Sequence, residues 1–129
     1  MSLVYLVMGL ALVQFMYFGF LVGGARSKYG IKAPAISGND IFERHFRVQT
    51  NTLEQLIVLI PALPMFAYYI DPRWAAGLGI LYLIGRFVYA ASYVKDPAKR
   101  GVGFGLSFLP VVFLLIGGIF GAIRASLAG

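Results

Sequence analysis

The stretch LVYLVMGLALVQFMYFGFLVGGA, residues 3–25, is an almost unbroken apolar run whose only strongly polar side chain is Gln14. A helix needs about 20 apolar residues to cross the hydrocarbon core of a bilayer, and this run reaches that length. It lacks a basic start and is longer than the core of a typical signal peptide. The sequence therefore predicts a retained transmembrane helix.

Three further apolar stretches follow, at about residues 50–70, 74–94 and 102–123. The second of the four helices is expected to begin in polar sequence near Asp40, with Pro61 and Pro64 inside it. The whole chain is 60% hydrophobic and 12% charged, with a mean hydropathy of +0.81. This composition belongs in lipid. We predict an all-α, four-transmembrane-helix bundle that forms one membrane domain over residues 1–129.

The residue inventory excludes several kinds of chemistry. Cysteine is absent, so neither a disulfide nor a cysteine nucleophile is available, and any thiol must come from a substrate. His45 is the single histidine, so no metal site is expected, and an ordinary histidine at the membrane interface is the simpler interpretation. The net charge of +6 does not indicate nucleic acid, because the basic residues are confined to short loops.

The distribution of basic residues predicts the orientation of the helices. Two residues, Arg73 and Arg124, lie at one end of the predicted bundle. Eight cations lie in or beside the first and third loops: Arg26, Lys28, Lys32, Arg44, Arg47, Lys95, Lys99 and Arg100. By the positive-inside tendency, both basic loops should face the cytoplasm and both termini should face outward.

Ionisable side chains within membrane helices indicate a functional site, because each costs about 2.5–3.5 kcal/mol to insert. At about 100° per residue, Arg47, Asn51 and Glu54 fall on one stripe of the second helix, which we expect to face inward. The same arithmetic places Arg86, Tyr89 and Tyr93 on one face of the third helix.

Two interpretations of these stripes remain open at this point. Glu54 and Arg86 could form a simple ion pair between helices, with Tyr89 and Tyr93 as interfacial aromatics. Against this, one glutamate cannot neutralise all the arginines that end at the same depth, namely Arg26, Arg47, Arg86 and Arg100. Such a surplus of cations suits an anion with more than one carboxylate.

The segment ERHFRVQTNTLE, residues 43–54, resembles a motif of the family of membrane-associated proteins in eicosanoid and glutathione metabolism (MAPEG). In that family Glu-Arg precedes Arg-x-x-x-Asn-x-x-Glu at the start of the second helix. The run Arg86-Phe87-Val88-Tyr89, with Tyr93 and Arg100 after it, is similar to the family's third-helix signature. The resemblance covers the chain from about Arg26 to Phe108.

This resemblance implies a fold, a ligand and roles for particular residues. Members are trimers that bind glutathione between subunits, so a homotrimer in a lipid membrane is expected, with glutathione as co-substrate and no metal. The resemblance assigns Arg100 to activation of the glutathione thiol. The residues that it assigns to glutathione binding, as ligands or supports, are Arg26, Arg47, Asn51, Glu54, Arg86, Tyr89 and Tyr93.

Three positions separate this chain from the leukotriene synthase branch of the family. Ser27, Gln55 and Val88 stand where that branch has arginine, tyrosine and arginine. The loop Asp96-Pro97-Ala98-Lys99-Arg100 is more similar to the microsomal and bacterial glutathione transferase branch. The implied activity is conjugation of glutathione to a hydrophobic electrophile from the bilayer, as in detoxification, with reduction of lipid hydroperoxides as a second activity.

Two rival functions come from other classes. A non-catalytic binding protein of the same family would keep both stripes but lose the thiol-activating arginine, and Arg100 argues against it. A small four-helix exporter would be expected to carry a carboxylate in its first helix, and residues 3–25 contain none.

Overall fold

Four long helices account for most of the computed structural model, which describes all residues from 1 to 129. They are α1 (Ser2–Tyr29), α2 (Asp40–Tyr69), α3 (Pro72–Lys95) and α4 (Gly101–Ala128), with a short 3₁₀ helix at Pro97–Lys99. All four are long and apolar enough to cross a membrane. The predicted all-α class with four transmembrane helices is confirmed.

Polar side chains cap the starts of α2 and α3. The Asn39 side chain accepts hydrogen bonds from the N–H groups of Ile41 (2.9 Å) and Phe42 (3.0 Å), so α2 begins well before its apolar part. Asp71 caps α3 in the same way, with Pro72 at the first helical position. Helix α2 continues through Pro61 and Pro64.

The apolar core lies away from the basic loops. Its main cluster joins residues of all four helices, including Val7, Leu63, Tyr82 and Leu114. Two small clusters continue toward the loops, and one of them contains Phe18, Val48 and Tyr89. We call this end of the bundle, with the loops of residues 30–39 and 96–100, the basic end.

Helices α3 and α4 approach most closely where glycine replaces a side chain. A Cβ at Gly85 would lie 2.6 Å from the backbone nitrogen of Ser107, and one at Gly103 would collide with the backbone of Tyr89. Small residues allow such close approach in lipid, where packing drives helix association. This contact brings Ser107 of α4 next to Arg86 of α3.

Candidate functional site

Arg86 is the centre of the polar cluster at the basic end, and its side chain is fully buried. Nε donates to Thr52 Oγ1 at 3.2 Å, and Nη2 donates to Thr52 Oγ1 and to Asn51 Oδ1 at 2.8 Å each. Nη1 donates to Ser107 Oγ at 3.1 Å. Every one of these partners is neutral, so no carboxylate pairs with the guanidinium.

The two hydroxyl partners are oriented by their own helices. Thr52 Oγ1 donates to the carbonyl of Val48 at 2.7 Å, and Ser107 Oγ donates to that of Gly103 at 3.0 Å. Each hydroxyl donates its hydrogen to a carbonyl of the preceding helical turn, a common arrangement in transmembrane helices. The lone pairs are thereby left to accept from Arg86.

Aromatic rings extend this cluster toward the basic end. The Arg86 guanidinium lies 4.2 Å from the centre of the Tyr89 ring, within cation–π range. Tyr93 stacks on Tyr89 with ring centres 5.5 Å apart. The predicted common face of Arg86, Tyr89 and Tyr93 is therefore present as a continuous stack.

The stripe on α2 is oriented differently from the prediction. Arg47 and Glu54 are 51% and 59% exposed, and their charged groups lie 3.9 Å apart. Within one subunit the stripe therefore faces outward at both its ends, and the inward orientation expected from the sequence is wrong. Only Asn51, between them, turns its amide to Arg86. Glu54 pairs with Arg47 and not with Arg86, so the simple interhelical ion pair is absent.

An open depression of about 420 Å³ lies beside the stripe at the basic end. Arg47 and Tyr93 share its wall, which joins the α2 stripe to the α3 stack. The remaining lining residues combine both charges with apolar groups, and they are Ile36, Asp40, Glu43, Arg44 and Phe46. A ligand here would meet cations, carboxylates and an aromatic ring.

Arg100 and Arg26 occupy different parts of the basic end. Arg100 is exposed, between the 3₁₀ helix and α4. Arg47 and Arg100 both lie near enough to the Tyr89 phenol to interact with it electrostatically. Arg26 is separate, because its Nη1 donates to the carbonyl of Ala35 at 2.7 Å and its guanidinium lies 4.8 Å from the Phe42 ring centre.

Sequence reasoning missed Thr52 and Ser107 as partners of Arg86. A signal was present for Ser107, because it is the only hydroxyl residue in the apolar body of α4, residues 101–123. Thr52 lay one position after Asn51 and was hidden among several polar neighbours. A hydroxyl in an apolar helix is usually explained by a bond to its own backbone, so neither residue pointed to a cation.

These features define a class of protein: a multi-pass membrane protein with a buried arginine in a polar cluster toward one end of its bundle. The sequence model of the MAPEG family matches residues 4–120. The chain belongs to this family. The match spans nearly the whole chain and confirms the resemblance seen in residues 43–54 and 86–100.

Individual relatives refine the comparison. An uncharacterized protein of Synechocystis is 46% identical over 114 residues, which are 88% of this chain and 83% of the relative. Human microsomal glutathione S-transferase 2 is 38% identical over 112 residues, covering 87% and 76%. Bovine leukotriene C4 synthase is 29% identical over 84 residues, covering 65% and 56%. The microsomal transferase is more similar than the leukotriene synthase, as Ser27, Gln55 and Val88 indicated.

Proposed function

We propose that this chain is a membrane-bound glutathione transferase that conjugates the glutathione thiolate to hydrophobic electrophiles from the bilayer. The observation that carries the proposal is the buried Arg86 with neutral partners only, surrounded by further cations at the basic end. An uncompensated cation at membrane depth is expensive, so a functional reason for it is expected. The similarity to microsomal glutathione S-transferase 2 supports glutathione as the anion.

Glutathione offers two carboxylates, one ammonium group and one thiol, and the basic end has a group for each. In this proposal Arg47 and Arg26 bind the carboxylates, because guanidinium groups pair with carboxylates through two parallel hydrogen bonds. Glu54 binds the ammonium group. Arg86 is a support that holds Asn51 and Tyr89 in position, and Tyr93 contacts the peptide.

The thiol needs help to react, because an ordinary cysteine-type thiol has a pKa of about 8.5 and is mostly protonated at neutral pH. Arg100 is the residue that we assign to this task. A guanidinium beside the sulfur favours the charged thiolate, which lowers the pKa of the thiol. The thiolate then attacks the electrophilic carbon, a carbon–sulfur bond forms, and the leaving group departs with its electron pair.

The outward orientation of Arg47 and Glu54 leads us to propose that the site is completed by another subunit. Charged groups that faced lipid at this depth would be costly, and a neighbouring chain in a homotrimer would cover them. We also propose that the basic end faces the cytoplasm.

Reduction of lipid hydroperoxides is a second proposed activity, in which two glutathiones yield a disulfide while the hydroperoxide becomes an alcohol and water.

The test compares three proteins purified in detergent: wild type, Arg100→Ala and the matched control Lys99→Ala. Conjugation is followed with an activated chloronitrobenzene, and the thiolate by its ultraviolet absorbance. Arg100→Ala should lower turnover by one to three orders of magnitude, about 1.4–4 kcal/mol of transition-state stabilisation, and weaken the thiolate signal at neutral pH. Lys99→Ala should change neither quantity.

Arg100 is exposed and makes no side-chain hydrogen bond, so its removal should leave thermal stability unchanged. Wild-type turnover in Arg100→Ala would move thiol activation to another cation. If wild-type protein bound glutathione but conjugated none of a panel of electrophiles, the chain would instead be a non-catalytic binding protein of the family.

A further inference from the structure

A second pocket, on the opposite side of the α2–α3 pair, has no part in the proposed glutathione site. It has a volume of about 340 Å³ and lies between α1, α2 and α3, with Phe18, Val48, Ala90 and Val94 among its lining residues. It shares none of its lining with the depression at Tyr93. The two sites are therefore separate.

The pocket continues along the membrane as an apolar groove between α1 and α3. A neighbouring depression of about 430 Å³ shares the Tyr17 and Phe87 side chains with it and reaches Leu10. From Leu10 to Leu21 the groove is about 16 Å long at 1.5 Å per helical residue. Apart from Gln14, its walls between these points are apolar, which suits one acyl chain lying along the helices.

The basic end of this groove carries one cation and one imidazole. His45 and Lys95 belong to the lining of the pocket. Arg44 lies next to them, because its Nη1 donates to the carbonyls of Val94 (3.0 Å) and Lys95 (3.5 Å). These carbonyls are the negative end of the α3 dipole, which would otherwise repel an anion, and Arg44 covers them.

No carboxylate lines the pocket. The acidic residue next in sequence is Asp96, whose side chain accepts a hydrogen bond from the N–H of Ala98 at 3.1 Å and caps the 3₁₀ helix. Glu43, one position before Arg44, accepts from the N–H of Gly38 at 3.2 Å and lines the depression on the other face of α2. Glu43 therefore faces the other depression, and one Asp96 oxygen is engaged in the cap.

We propose that this groove binds one anionic phospholipid, with an acyl chain between α1 and α3 and its phosphate against Lys95 and His45, beside the α3 carbonyls that Arg44 covers. Basic pockets between transmembrane helices bind the head groups of anionic lipids. The phosphate can accept hydrogen bonds from the Lys95 ammonium group and the His45 imidazole, while a zwitterionic head group brings its own cation toward Lys95. Because Ala90 and Ala91 have small side chains, they leave room for the part of the acyl chain nearest the head group.

Native mass spectrometry of the detergent-purified protein tests this inference. Phosphatidylglycerol and phosphatidylcholine with identical acyl chains are titrated against wild type, Lys95→Ala and Ala91→Phe. We expect one tightly bound phosphatidylglycerol per subunit and at least tenfold weaker binding of phosphatidylcholine. Lys95→Ala should weaken phosphatidylglycerol binding about fivefold, the effect of one cation near a lipid surface. Ala91→Phe should abolish the tight binding by filling the groove.

Two variants serve as matched controls. Lys99→Ala removes a cation from the same end of the protein without touching the groove, and Ile84→Phe enlarges an exposed residue of α3 that does not line it. Both should bind phosphatidylglycerol as wild type does. Equal weakening in Lys95→Ala and Lys99→Ala would reduce the effect to general surface charge and overturn the proposal.

The chemistry of the occupant is tested by competition. Oleate, a single-chain carboxylate, should not displace phosphatidylglycerol at equal concentration, because its tail fits the same groove but its head group offers fewer acceptor oxygens. If oleate displaced the phospholipid stoichiometrically, or if Ala91→Phe kept its tight binding, the groove would not be a phospholipid site.

Discussion

Replacing Arg86 by methionine should separate function from stability. The four hydrogen bonds of the guanidinium are worth about 0.6 kcal/mol each if they match the mean for bonds between membrane helices, and its desolvated cation–π contact with Tyr89 adds about 2 kcal/mol. Removing the charge relieves an insertion cost of about 2.5–3.5 kcal/mol. These terms nearly cancel, so the free energy of unfolding should change by less than about 2 kcal/mol.

The partner substitution should behave in the opposite way. Thr52→Val removes the sole acceptor of Nε and one of the two acceptors of Nη2, which keeps Asn51. An unpaired N–H of a buried cation costs about 1–3 kcal/mol or more. We therefore expect Thr52→Val to destabilise wild type by about 2–4 kcal/mol. In the Arg86→Met background the same change should cost little, because no donor remains to be satisfied.

The assay is a double-mutant cycle of thermal or denaturant unfolding in detergent, combined with glutathione conjugation. Thr50→Val is the matched control, since Thr50 makes no side-chain hydrogen bond to Arg86. Arg86→Met should fold but lose conjugation by at least tenfold. Equal cost of Thr52→Val in both backgrounds, or a loss above 4 kcal/mol in Arg86→Met alone, would refute the view that Arg86 is retained for function.

Three further outcomes are expected. Glu54→Gln should weaken glutathione binding, measured by calorimetry. It should change the free energy of unfolding by less than about 1 kcal/mol, because the ion pair of Glu54 with Arg47 is exposed. Unchanged affinity would place the ammonium group elsewhere. Gly103→Ala should cost about 1–3 kcal/mol, since its Cβ would collide with the Tyr89 backbone, whereas Gly105→Ala should be tolerated; equal Tm values would contradict this. Mass measurement in detergent should give three chains, and a stable monomer that still binds glutathione would exclude a shared site.

The fold was predictable because membrane spans are defined by composition alone. The apolar run of residues 3–25 needed no partner to be recognised as a helix, and the polar sequence near Asp40 indicated the start of the next one. The common face of Arg86, Tyr89 and Tyr93 was predictable as well, since helical periodicity fixes which residues of one helix share a side.

What the sequence could not provide was the relation between helices. Periodicity places Arg47 and Glu54 on one stripe but does not say whether that stripe faces the bundle or its surroundings. The partners of Arg86 depend on the close approach of Gly85 and Gly103 to the neighbouring backbones. Neither glycine differs in sequence from those, such as Gly105, that contact nothing.

The unequal apolar lengths of the helices have a mechanical consequence. The apolar part of α2, from Leu56 to Tyr69, measures about 21 Å, while that of α1, from Leu3 to Ala25, measures about 34 Å. A typical hydrocarbon core is about 30 Å thick, so α2 is too short for it and α1 too long. Tilt of α1 and local thinning beside α2 reconcile the two, at a fraction of a kcal/mol per ångström of hydrophobic mismatch. Bilayer thickness therefore determines the hydrophobic mismatch of this protein, and the charged start of α2 borders the shorter of the two apolar segments.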